Sequence, residues 1–447
     1  MPSALTLLLV PGLAGAASFT PLGFLSGGTG SHASGVSADG SVVVGYATYN
    51  NRDIEAFRWT GGVMTGLGIL SDYTASQAFG VSADGSVVVG DSFAAIDGDR
   101  YDEAFRWTDG VMTGLGLHPG YTRSEANGVS ADGSVVVGVS ASEAVRWTGG
   151  VMIGLGDLPG GSFGSDAFGV SADGSVVVGY GSSASDWEAF RWTGGVMTGL
   201  GVLLGGTFSV ATGVSADGTT VVGNSDNGTG EEAFEWFGGV MTGLGVLAGD
   251  TDSYAFGASN SGLVVGRSFA IIQGQLRGKA FVWTPWDGMA RLEDVLAANG
   301  ATGLAGWSLE EAAGISADGQ WVVGTGINPN GDREAFLANV STGPPLVAVP
   351  NVVGQTQAAA TIAITGAGLT VGTVTSQPSS TVAAGSVISE SPAVGTSVSS
   401  GSAVNLVVST GRVSSGGDGA GGGGGSLDGL SLLVLGVMCV LRRKISS

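Results

Sequence analysis

Short apolar runs recur along most of the chain at a nearly constant spacing, and each run is separated from the next by a polar or glycine-containing turn. The segment GVSADGSVVVG at Gly35 to Gly45 restarts, with conservative changes, at six further glycines that lie 41 to 57 residues apart: Gly80, Gly128, Gly169, Gly213, Gly257 and Gly314. A sequence that repeats itself at this period is typical of a repeat architecture. The pattern therefore predicts one structural unit per repeat.

Each unit contains four predicted β-strands. The first ends in GVS, an Asp-Gly turn follows, and the second is SVVVG; the third is AFRWT, and after a Gly-Gly turn the fourth is VMTGLG. Asp-Gly between two apolar segments indicates a hairpin, because Gly adopts the positive φ that the turn requires. Residues 42–44 are apolar in succession rather than alternating, which indicates strands that are covered on both faces.

The two ends of the repeat array are complementary fragments. Four short strands in about 40 to 45 residues predict the blade of a β-propeller. The repeat array begins with Phe19 to Leu25, which resembles only a fourth strand, and the last repeat stops after its third strand, AFLANV. We therefore predict an all-β, seven-bladed propeller whose last blade is completed by the N-terminal strand. An open solenoid is the competing architecture, but it would need polar caps at its ends.

These motifs carry two resemblances. The order strand, S-x-D-G turn, strand and strand ending in Trp resembles the blades of WD-repeat and TolB-like propellers. The pair GVSADGSVVVG and EAFRWTGG resembles the HAF family of bacterial extracellular repeats from Phe19 to about Thr342. The second resemblance implies an exported bacterial protein and brings no established activity with it. We assign residues 18–342 to the propeller.

A different module is predicted after the propeller. Residues 346–411 contain VPNVVGQT, AGLTVG, VISESPAVGT and VNLVVSTG in this order, and they resemble a PASTA domain. The pattern predicts a helix at Gln355 to Thr365 with Ala359, Ile362 and Ala363 on one face. Three strands are predicted to cover it, at 369–374, 387–390 and 404–408. The resemblance implies a small α+β domain that contacts peptidoglycan; a spacer or docking role is the alternative for a single copy.

Both ends of the chain indicate export. Residues 1–17 are predicted to be a signal peptide, because an apolar run precedes a small-residue cleavage site, although no Lys or Arg precedes that run. Residues 412–425 are a predicted Gly/Ser-rich linker. Residues 426–447 are mostly apolar with a basic end and resemble the GlyGly-CTERM sorting tail, with a plain membrane anchor as the alternative. Either reading implies a protein that is secreted or held on the outer surface of a bacterium.

The composition of the chain excludes some classes of binding partner. The 447 residues carry 37 acidic and 16 basic side chains, a formal net charge of −21, and a single cysteine, so no internal disulfide can form. Nucleic acid is a poor partner for such a chain, because phosphate binding needs a basic surface. An anionic membrane surface is disfavoured for the same reason, which leaves membrane contact to the C-terminal tail. We expect a monomer.

The connections at one end of the propeller vary from repeat to repeat. The turns after the first and third strands are constant, whereas those after the second and fourth strands differ in length and composition, so this rim is the predicted functional surface. The candidate ligand-binding residues on it are Tyr73, Asp97, Asp99, Tyr121, Phe163, Phe208, Asp250, Asp252 and Tyr254. Aromatic side chains beside carboxylates suit a sugar, and carboxylates alone could hold Ca²⁺. A solvated acidic surface and loop packing are the structural alternatives.

Residues that every blade shares are expected to serve the blade, whereas a binding site would break the symmetry. The shared residues are the Asp of each S-A-D-G turn, the Glu that opens each EAFRWT motif and the Trp that closes it. The Trp side chains are expected to lie between blades. Symmetry is broken most at 289–313, where Leu292 to Gly300 predicts a short helix that packs against the sixth and seventh blades or lies over the rim.

The sequence offers little material for an enzyme. His32 and His118 are the only histidines, so neither a Ser-His-Asp triad nor a multi-histidine metal site is supported. We predict no catalytic residues and no cofactor, and interpret the chain as a non-enzymatic binding protein whose partner is a glycan, peptidoglycan or a surface protein. Glycan processing by two rim carboxylates is the alternative.

Overall fold

The computed structural model describes residues 17–49, 53–96, 99–161, 164–184, 186–340, 346–399 and 402–412. Apart from Ala17 and Arg412, the predicted signal peptide, linker and C-terminal tail lie outside these residues. Among the described residues, no helix is long and apolar enough to span a membrane.

Seven four-stranded antiparallel sheets confirm the predicted seven-bladed propeller. The first strand of the described residues is β1 (Ser18–Pro21). Blade 1 contains β2 (Gly28–Val36), β3 (Val42–Tyr49), β4 (Asp53–Thr60) and β5 (Val63–Gly66). Blade 2 contains β6 (Ala75–Val81), β7 (Val87–Ile96), β8 (Asp99–Thr108) and β9 (Val111–Gly114). Blade 3 contains β10 (Ser124–Val129), β11 (Val135–Ser140), β12 (Glu143–Thr148) and β13 (Val151–Gly154).

The remaining blades follow the same order. Blade 4 contains β14 (Ser165–Val170), β15 (Val176–Ser182), β16 (Trp187–Thr193) and β17 (Val196–Gly199). Blade 5 contains β18 (Ser209–Val214), β19 (Thr220–Asp226), β20 (Glu231–Phe237) and β21 (Val240–Gly243). Blade 6 contains β22 (Asp252–Ala258), β23 (Val264–Ile272), β24 (Gln275–Thr284) and β25 (Gly288–Arg291). Blade 7 contains β26 (Ser308–Ile315), β27 (Trp321–Ile327) and β28 (Arg333–Asn339), and its fourth strand is β1.

The N-terminal strand closes the ring, as the sequence predicts. β1 pairs antiparallel with β28, from Ser18 opposite Asn339 to Pro21 opposite Phe336. The Phe19 ring packs edge-on against Trp307, with 5.1 Å between ring centroids. Blade 7 therefore has no unpaired outer edge at β28 through which chains could associate.

A buried serine at the start of the innermost strand ties neighbouring blades together. Ser76 Oγ of blade 2 accepts a hydrogen bond from the Ala56 backbone N–H of blade 1 (3.0 Å) and donates to the Gly68 carbonyl (2.7 Å). Ser31 makes the same bond across the closure, accepting from the Ala335 N–H of blade 7 (2.9 Å). The junction between the last and first blades is thus built like the five junctions that join blades 1 to 6.

The shared residues have the structural roles that their repetition indicates. Asp39 Oδ1 accepts hydrogen bonds from the Ser37 hydroxyl (2.8 Å) and the Ser41 N–H (3.0 Å), which fixes the S-A-D-G turn. Glu55 Oε1 accepts from the Gly68 N–H at the end of the fourth strand (2.9 Å). Trp147 is buried, and its Nε1 donates to the Leu115 carbonyl of the preceding blade (3.1 Å), so it lies between blades as predicted.

The innermost strands approach each other closely at the propeller axis. A cavity of about 210 Å³ there is lined by residues of all seven innermost strands. Each contributes a glycine, and at Gly213 a Cβ atom would lie 2.5 Å from the Phe256 carbonyl oxygen of the next blade. Glycine is required at such a position because two backbones meet. The axis is therefore narrow, and any larger site lies elsewhere on the propeller.

The predicted short helix is present and packs into the core. Helix α1 (Leu292–Ala298) buries Leu292, Val295 and Leu296 in the cluster that also contains Leu309 of blade 7 and Val282 of blade 6. This arrangement matches the prediction that it packs against the sixth and seventh blades.

The C-terminal domain has its own small core. It contains β29 (Leu346–Ala348), α2 (Gln357–Gly366), β30 (Thr370–Gln377), β31 (Val387–Ser391), β32 (Ser397–Ser399) and β33 (Ala403–Ser409). β33 lies between β30, with which it is parallel, and β31, with which it is antiparallel. A separate two-stranded sheet joins β29 and β32.

The predicted buried face of α2 is wrong in part. Ala360 and Ile364 are fully buried against the sheet, and Ala363 is half-buried, whereas Ala359 is exposed and Ile362 is 72% exposed. The helix is apolar around much of its circumference, so spacing alone does not distinguish the two faces. The side on which the sheet packs decides between them.

Candidate functional site

At one position of the innermost strand, the type of side chain differs from blade to blade. These strands share the pattern x-Ala-x-Gly, in which the Ala is buried in every blade. We call the first variable position the inner ring; its members are His32, Gln77, Glu125, Asp166, Val210, Tyr254 and Glu311. An imidazole, an amide, three carboxyl groups, a phenol and an isopropyl group thus occupy equivalent places in a repeated scaffold. This is the break in symmetry expected of a binding site.

The second strand of each blade adds a neighbouring variable position. We call the residues paired with the inner ring the outer ring; they are Tyr46, Asp91, Val139, Tyr180, Asn224, Arg267 and Thr325. Residues directly opposite each other on antiparallel strands point to the same face of the sheet. Both rings lie nearer the end of the propeller that carries the variable connections. Of these residues only Tyr254 is among the sequence-based candidates, because those candidates were chosen from connections of varying length. An alignment of the x-Ala-x-Gly patterns shows the variable position.

A pocket of about 410 Å³ opens where the rings meet the rim between blades 3 and 4. Glu125 and Asp166 of the inner ring line it, together with Tyr180 of the outer ring. Tyr121 and Trp187, which flank the rings, complete its aromatic part. Its volume falls within the range of about 300–1,000 Å³ that is typical of small-molecule sites. Of the sequence-based candidates that the structure describes, Tyr121 is the one that lines this pocket.

The aromatic side chains of the blade 3–4 pocket pack against other rings and are still exposed to solvent. Tyr180 stacks on Phe168 with 5.7 Å between ring centroids, and Trp187 meets Tyr180 edge-on at 5.2 Å. Trp187 is 43% exposed and Tyr121 is 53% exposed. Aromatic faces held in this way can stack on a sugar ring or attract a cation.

The turn beside these aromatic residues has an uncommon backbone conformation. Ala141 and Ser142, which connect β11 to β12 and line the blade 3–4 pocket, have φ angles of 56° and 66°. Non-glycine residues rarely adopt positive φ, and such conformations cluster at functional sites. These two residues alone connect β11, which ends at Ser140, to β12, which begins at Glu143.

A network of charges lies behind the pocket, between blades 2 and 3. Asp102 is fully buried and accepts hydrogen bonds from Arg100 Nε (2.5 Å) and Arg123 Nε (2.6 Å). Arg100 Nη2 also donates to Asp91 Oδ2 (3.3 Å), and Arg123 Nη2 donates to Glu125 Oε1 (2.7 Å). Two guanidinium groups are therefore shared among three carboxyl groups.

Two carboxyl groups of the rings have pKa values raised to the neutral range or above it. Burial, reinforced by the negative charge of Glu125, raises the pKa of Asp166 to about 8 and that of Asp91 to about 7. The nearest donor to Asp166 from the neighbouring blade is the neutral amide of Asn127, whose Nδ2 lies 3.2 Å from Asp166 Oδ1. Asp91 Oδ1 is buried and has no hydrogen-bond partner. Protonation of these two groups leaves Asp102 and Glu125 as the carboxylates that the two guanidinium groups balance.

The raised pKa of Asp166 predicts a pH dependence of stability. Between pH 4 and 8 the folded protein holds a proton at Asp166 that the unfolded chain has released, so this group's contribution to the free energy of unfolding decreases as pH rises through that window. We expect Asp166→Asn, which cannot ionise, to lose less stability than the wild type between pH 5 and pH 8.5, by an amount on the order of a few kcal/mol. Urea unfolding at both pH values measures it, with the exposed Asp99→Asn as the control. Equal pH slopes for Asp166→Asn and wild type would contradict the assignment.

On the side of blades 6 and 7, the side chains of the two rings contact one another. The Arg267 guanidinium lies over the rings of Tyr254 (5.6 Å) and Phe269 (5.2 Å), and its Nη1 donates to Glu311 Oε2 (3.0 Å). Burial, together with Glu231, raises the pKa of Tyr254 to about 12. This side holds a neutral phenol and a paired ion, and the excess of carboxyl groups is on the side of blades 2 to 4.

The structure does not bring the predicted rim residues into one site. Tyr73 lies between blades 1 and 2, where its hydroxyl donates to Glu103 Oε2 (3.3 Å), and Phe208 is half-buried between blades 4 and 5. Asp99 is exposed at the start of β8. Asp97 and Phe163 lie outside the described residues. Their role in ligand binding stays a prediction.

Three of the predicted rim residues belong to the junction of blades 5 and 6. Asp250 Oδ1 forms an ion pair with Lys279 Nζ (2.5 Å), and Asp252 Oδ1 accepts from the Glu231 N–H (3.0 Å). Tyr254 was expected in a connection, but it lies inside the innermost strand β22 and belongs to the inner ring. The reason is that this strand begins at Asp252 and so includes residues that the loop pattern assigned to the connection. The two carboxylates have protein partners that would compete with a ligand.

A Ca²⁺ site also stays a prediction. Within the described ranges, no three His, Cys, Asp or Glu side chains are grouped so that they could hold a metal ion. The ring carboxyl groups near blades 2 to 4 are instead paired with arginine or protonated.

The family profile of PASTA domains matches residues 347–410, so this part of the chain is a PASTA domain. The match covers the predicted module almost completely, from β29 to β33. No curated protein matches the sequence.

Several solved propeller structures are similar to this chain. TolB from Acinetobacter baumannii aligns over 74% of this chain and 67% of its own, at 9% identity and a TM-score of 0.37. An oligogalacturonate lyase from Vibrio parahaemolyticus aligns over 72% and 93%, at 10% identity and 0.46. A GH74 xyloglucanase from Xanthomonas campestris aligns over 75% and 57%, at 11% identity and 0.45. Similarity at this level extends to the fold and no further.

Proposed function

We propose that this chain is a bacterial cell-surface protein with HAF-type repeats, and that it binds a glycan, without altering it, in the pocket between blades 3 and 4. The observation that carries the proposal is the composition of this pocket. Exposed faces of Tyr121 and Trp187 lie beside the hydrogen-bonding groups of Glu125 and Asp166. Aromatic platforms with adjacent polar side chains match the alternating apolar and hydroxyl-bearing surfaces of a sugar.

The PASTA domain supports a location in the cell envelope. A propeller joined to such a domain fits an envelope-binding protein, in which the PASTA domain contacts the cell wall and the propeller presents its pocket. The open face of its sheet forms a groove of about 260 Å³ lined by Thr373, Glu390 and Asn405, among others. Glu390 Oε1 is buried there without a hydrogen-bond partner. The predicted signal peptide and GlyGly-CTERM tail agree with export and surface retention.

Substitution of the exposed tryptophan tests the proposed glycan site. Trp187→Ala removes one aromatic face, and since stacking contacts of this kind contribute about 0.5–1.5 kcal/mol beyond area burial, we expect an affinity loss of about tenfold. The measurement is binding to a panel of bacterial and plant oligosaccharides, with and without Ca²⁺, by fluorescence titration. Trp286→Ala is the matched control, because Trp286 is 58% exposed and lies outside the pocket. If both variants bind the oligosaccharides as tightly as the wild type, the ligand does not bind in the pocket between blades 3 and 4.

Glycan hydrolysis is the second candidate function, and one observation favours it. Glu125 and Asp166 line the same pocket, and Asp166 retains its proton near neutral pH. A protonated carboxyl group beside a second carboxyl group is the arrangement used by glycosidases. New reducing ends released by wild type and absent with Glu125→Gln would establish hydrolysis. Binding without any new reducing ends supports the non-enzymatic function.

A further inference from the structure

We propose that the glycan bound between blades 3 and 4 carries free amino groups, and that the pocket recognises one of them as an ammonium ion. This inference rests on the proposed glycan-binding function and specifies its ligand class. It follows from the charge balance of the site, from its aromatic walls and from the field of the whole chain.

Two carboxyl groups line the pocket, and that of Glu125 is already paired with an arginine. Arg123 is already bonded to Asp102 and to Glu125, so its charge is shared between two carboxylates. Asp166 faces a neutral amide from blade 3 rather than a third guanidinium. Within the described part of the chain, Asp166 therefore forms no ion pair. A ligand ammonium group beside Asp166 and Glu125 would pair with the Asp166 carboxylate as its proton is released, and it would donate hydrogen bonds to both side chains.

The aromatic walls favour an organic cation over a metal ion. An ammonium group lying over the face of a Trp or Tyr ring is attracted by the ring's quadrupole, and such contacts recognise amines in many proteins. Trp187 and Tyr180 provide these faces, and Val139 adds an apolar wall. A hydrated metal ion would instead need several oxygen ligands at short distance. Tyr and Val side chains cannot provide a set of that kind.

The charge of the chain acts in the same direction. The formal net charge of −21 repels anionic polysaccharides and attracts cationic ones before contact. Ser142 and Thr122 also line the pocket, and both residues carry polar groups to which sugar hydroxyl groups can bond. Together these features favour a polycationic glycan over a neutral or acidic one.

Two oligosaccharides that differ only in acetylation test the inference. We would titrate the purified protein at pH 6 with a β-1,4-linked glucosamine hexamer and with its N-acetylated counterpart, following Trp fluorescence and heat. We expect the amino hexamer to bind about tenfold more tightly. Glu125→Gln should remove most of that difference, whereas Asp99→Asn, which removes an exposed carboxylate outside the pocket, should preserve it. Thermal unfolding shows whether each variant is folded, and Trp187→Ala provides a second test that leaves the charges in place.

Each outcome separates this inference from the function on which it rests. Equal affinity for the two hexamers would overturn amino-group recognition and leave glycan binding intact. Binding of a lysine pentapeptide as tightly as the amino hexamer, at the same site, would overturn the assignment to a glycan. If neither hexamer binds while other oligosaccharides on the panel do, the inference fails and the proposed function stands. If no oligosaccharide binds, both fail.

Discussion

A chain that starts at Gly23, and so lacks β1, is expected to lose most of the stability of the propeller relative to a chain that starts at Ala17. β1 is the fourth strand of blade 7, and its four residues pair with four residues of β28. It also places Phe19 in the core cluster shared by blades 6 and 7. Loss of a buried Phe side chain alone costs about 3–5 kcal/mol. Removal of the strand adds an exposed edge and opens the ring, so we expect a large fall in the urea midpoint and association of chains.

Two point variants test the contribution of β1 to stability within the intact chain. Phe19 is buried, whereas Ser18 is an exposed residue of the same strand. We expect Phe19→Ala to lower the unfolding midpoint clearly and Ser18→Ala to change it little. Urea unfolding by circular dichroism and size-exclusion chromatography give the two measurements. An unchanged midpoint for the chain that starts at Gly23 would show that β1 does not close the ring.

Replacement of Gly179 by Ala is expected to destabilise blade 4 by about 3 kcal/mol or more. A Cβ atom at this position would lie 1.9 Å from the Asp166 carbonyl oxygen, where only a backbone shift could make room. The glycine that ends each VVVG segment meets the innermost strand in the same way, for example at Gly45 and Gly223. The shift would also move Asp166 in the pocket. We therefore expect lower stability and weaker ligand binding together.

Gly181→Ala is the matched control, because it makes the same change two residues later in β15. Its nearest neighbour would be the Ser165 Cβ at 3.5 Å, an ordinary contact distance. We expect a change within about 1 kcal/mol, including a stabilising one from the stiffer unfolded chain. Thermal and urea unfolding of both variants measure the difference. Similar midpoints for the two would contradict the role assigned to the VVVG glycine.

The sequence alone determined the architecture, because that information is local and repeated. The Asp-Gly turns set the hairpins, the period set the number of blades, and the complementary fragments at Phe19 to Leu25 and AFLANV set the closure. The roles of the shared Asp, Glu and Trp residues followed from their repetition. The PASTA domain was also visible as a run of short motifs.

Only the tertiary structure decided which residues form a site. Glu125 and Asp166 are 41 positions apart, and they reach one pocket because blades 3 and 4 are neighbours in the ring. The raised pKa of Asp166 arises from burial and from the negative charge of Glu125, which no linear pattern contains. In α2, likewise, the choice of Ala360 and Ile364 over Ile362 depended on where the sheet lies. Periodicity specifies the elements, whereas contacts between residues distant in sequence assemble the site.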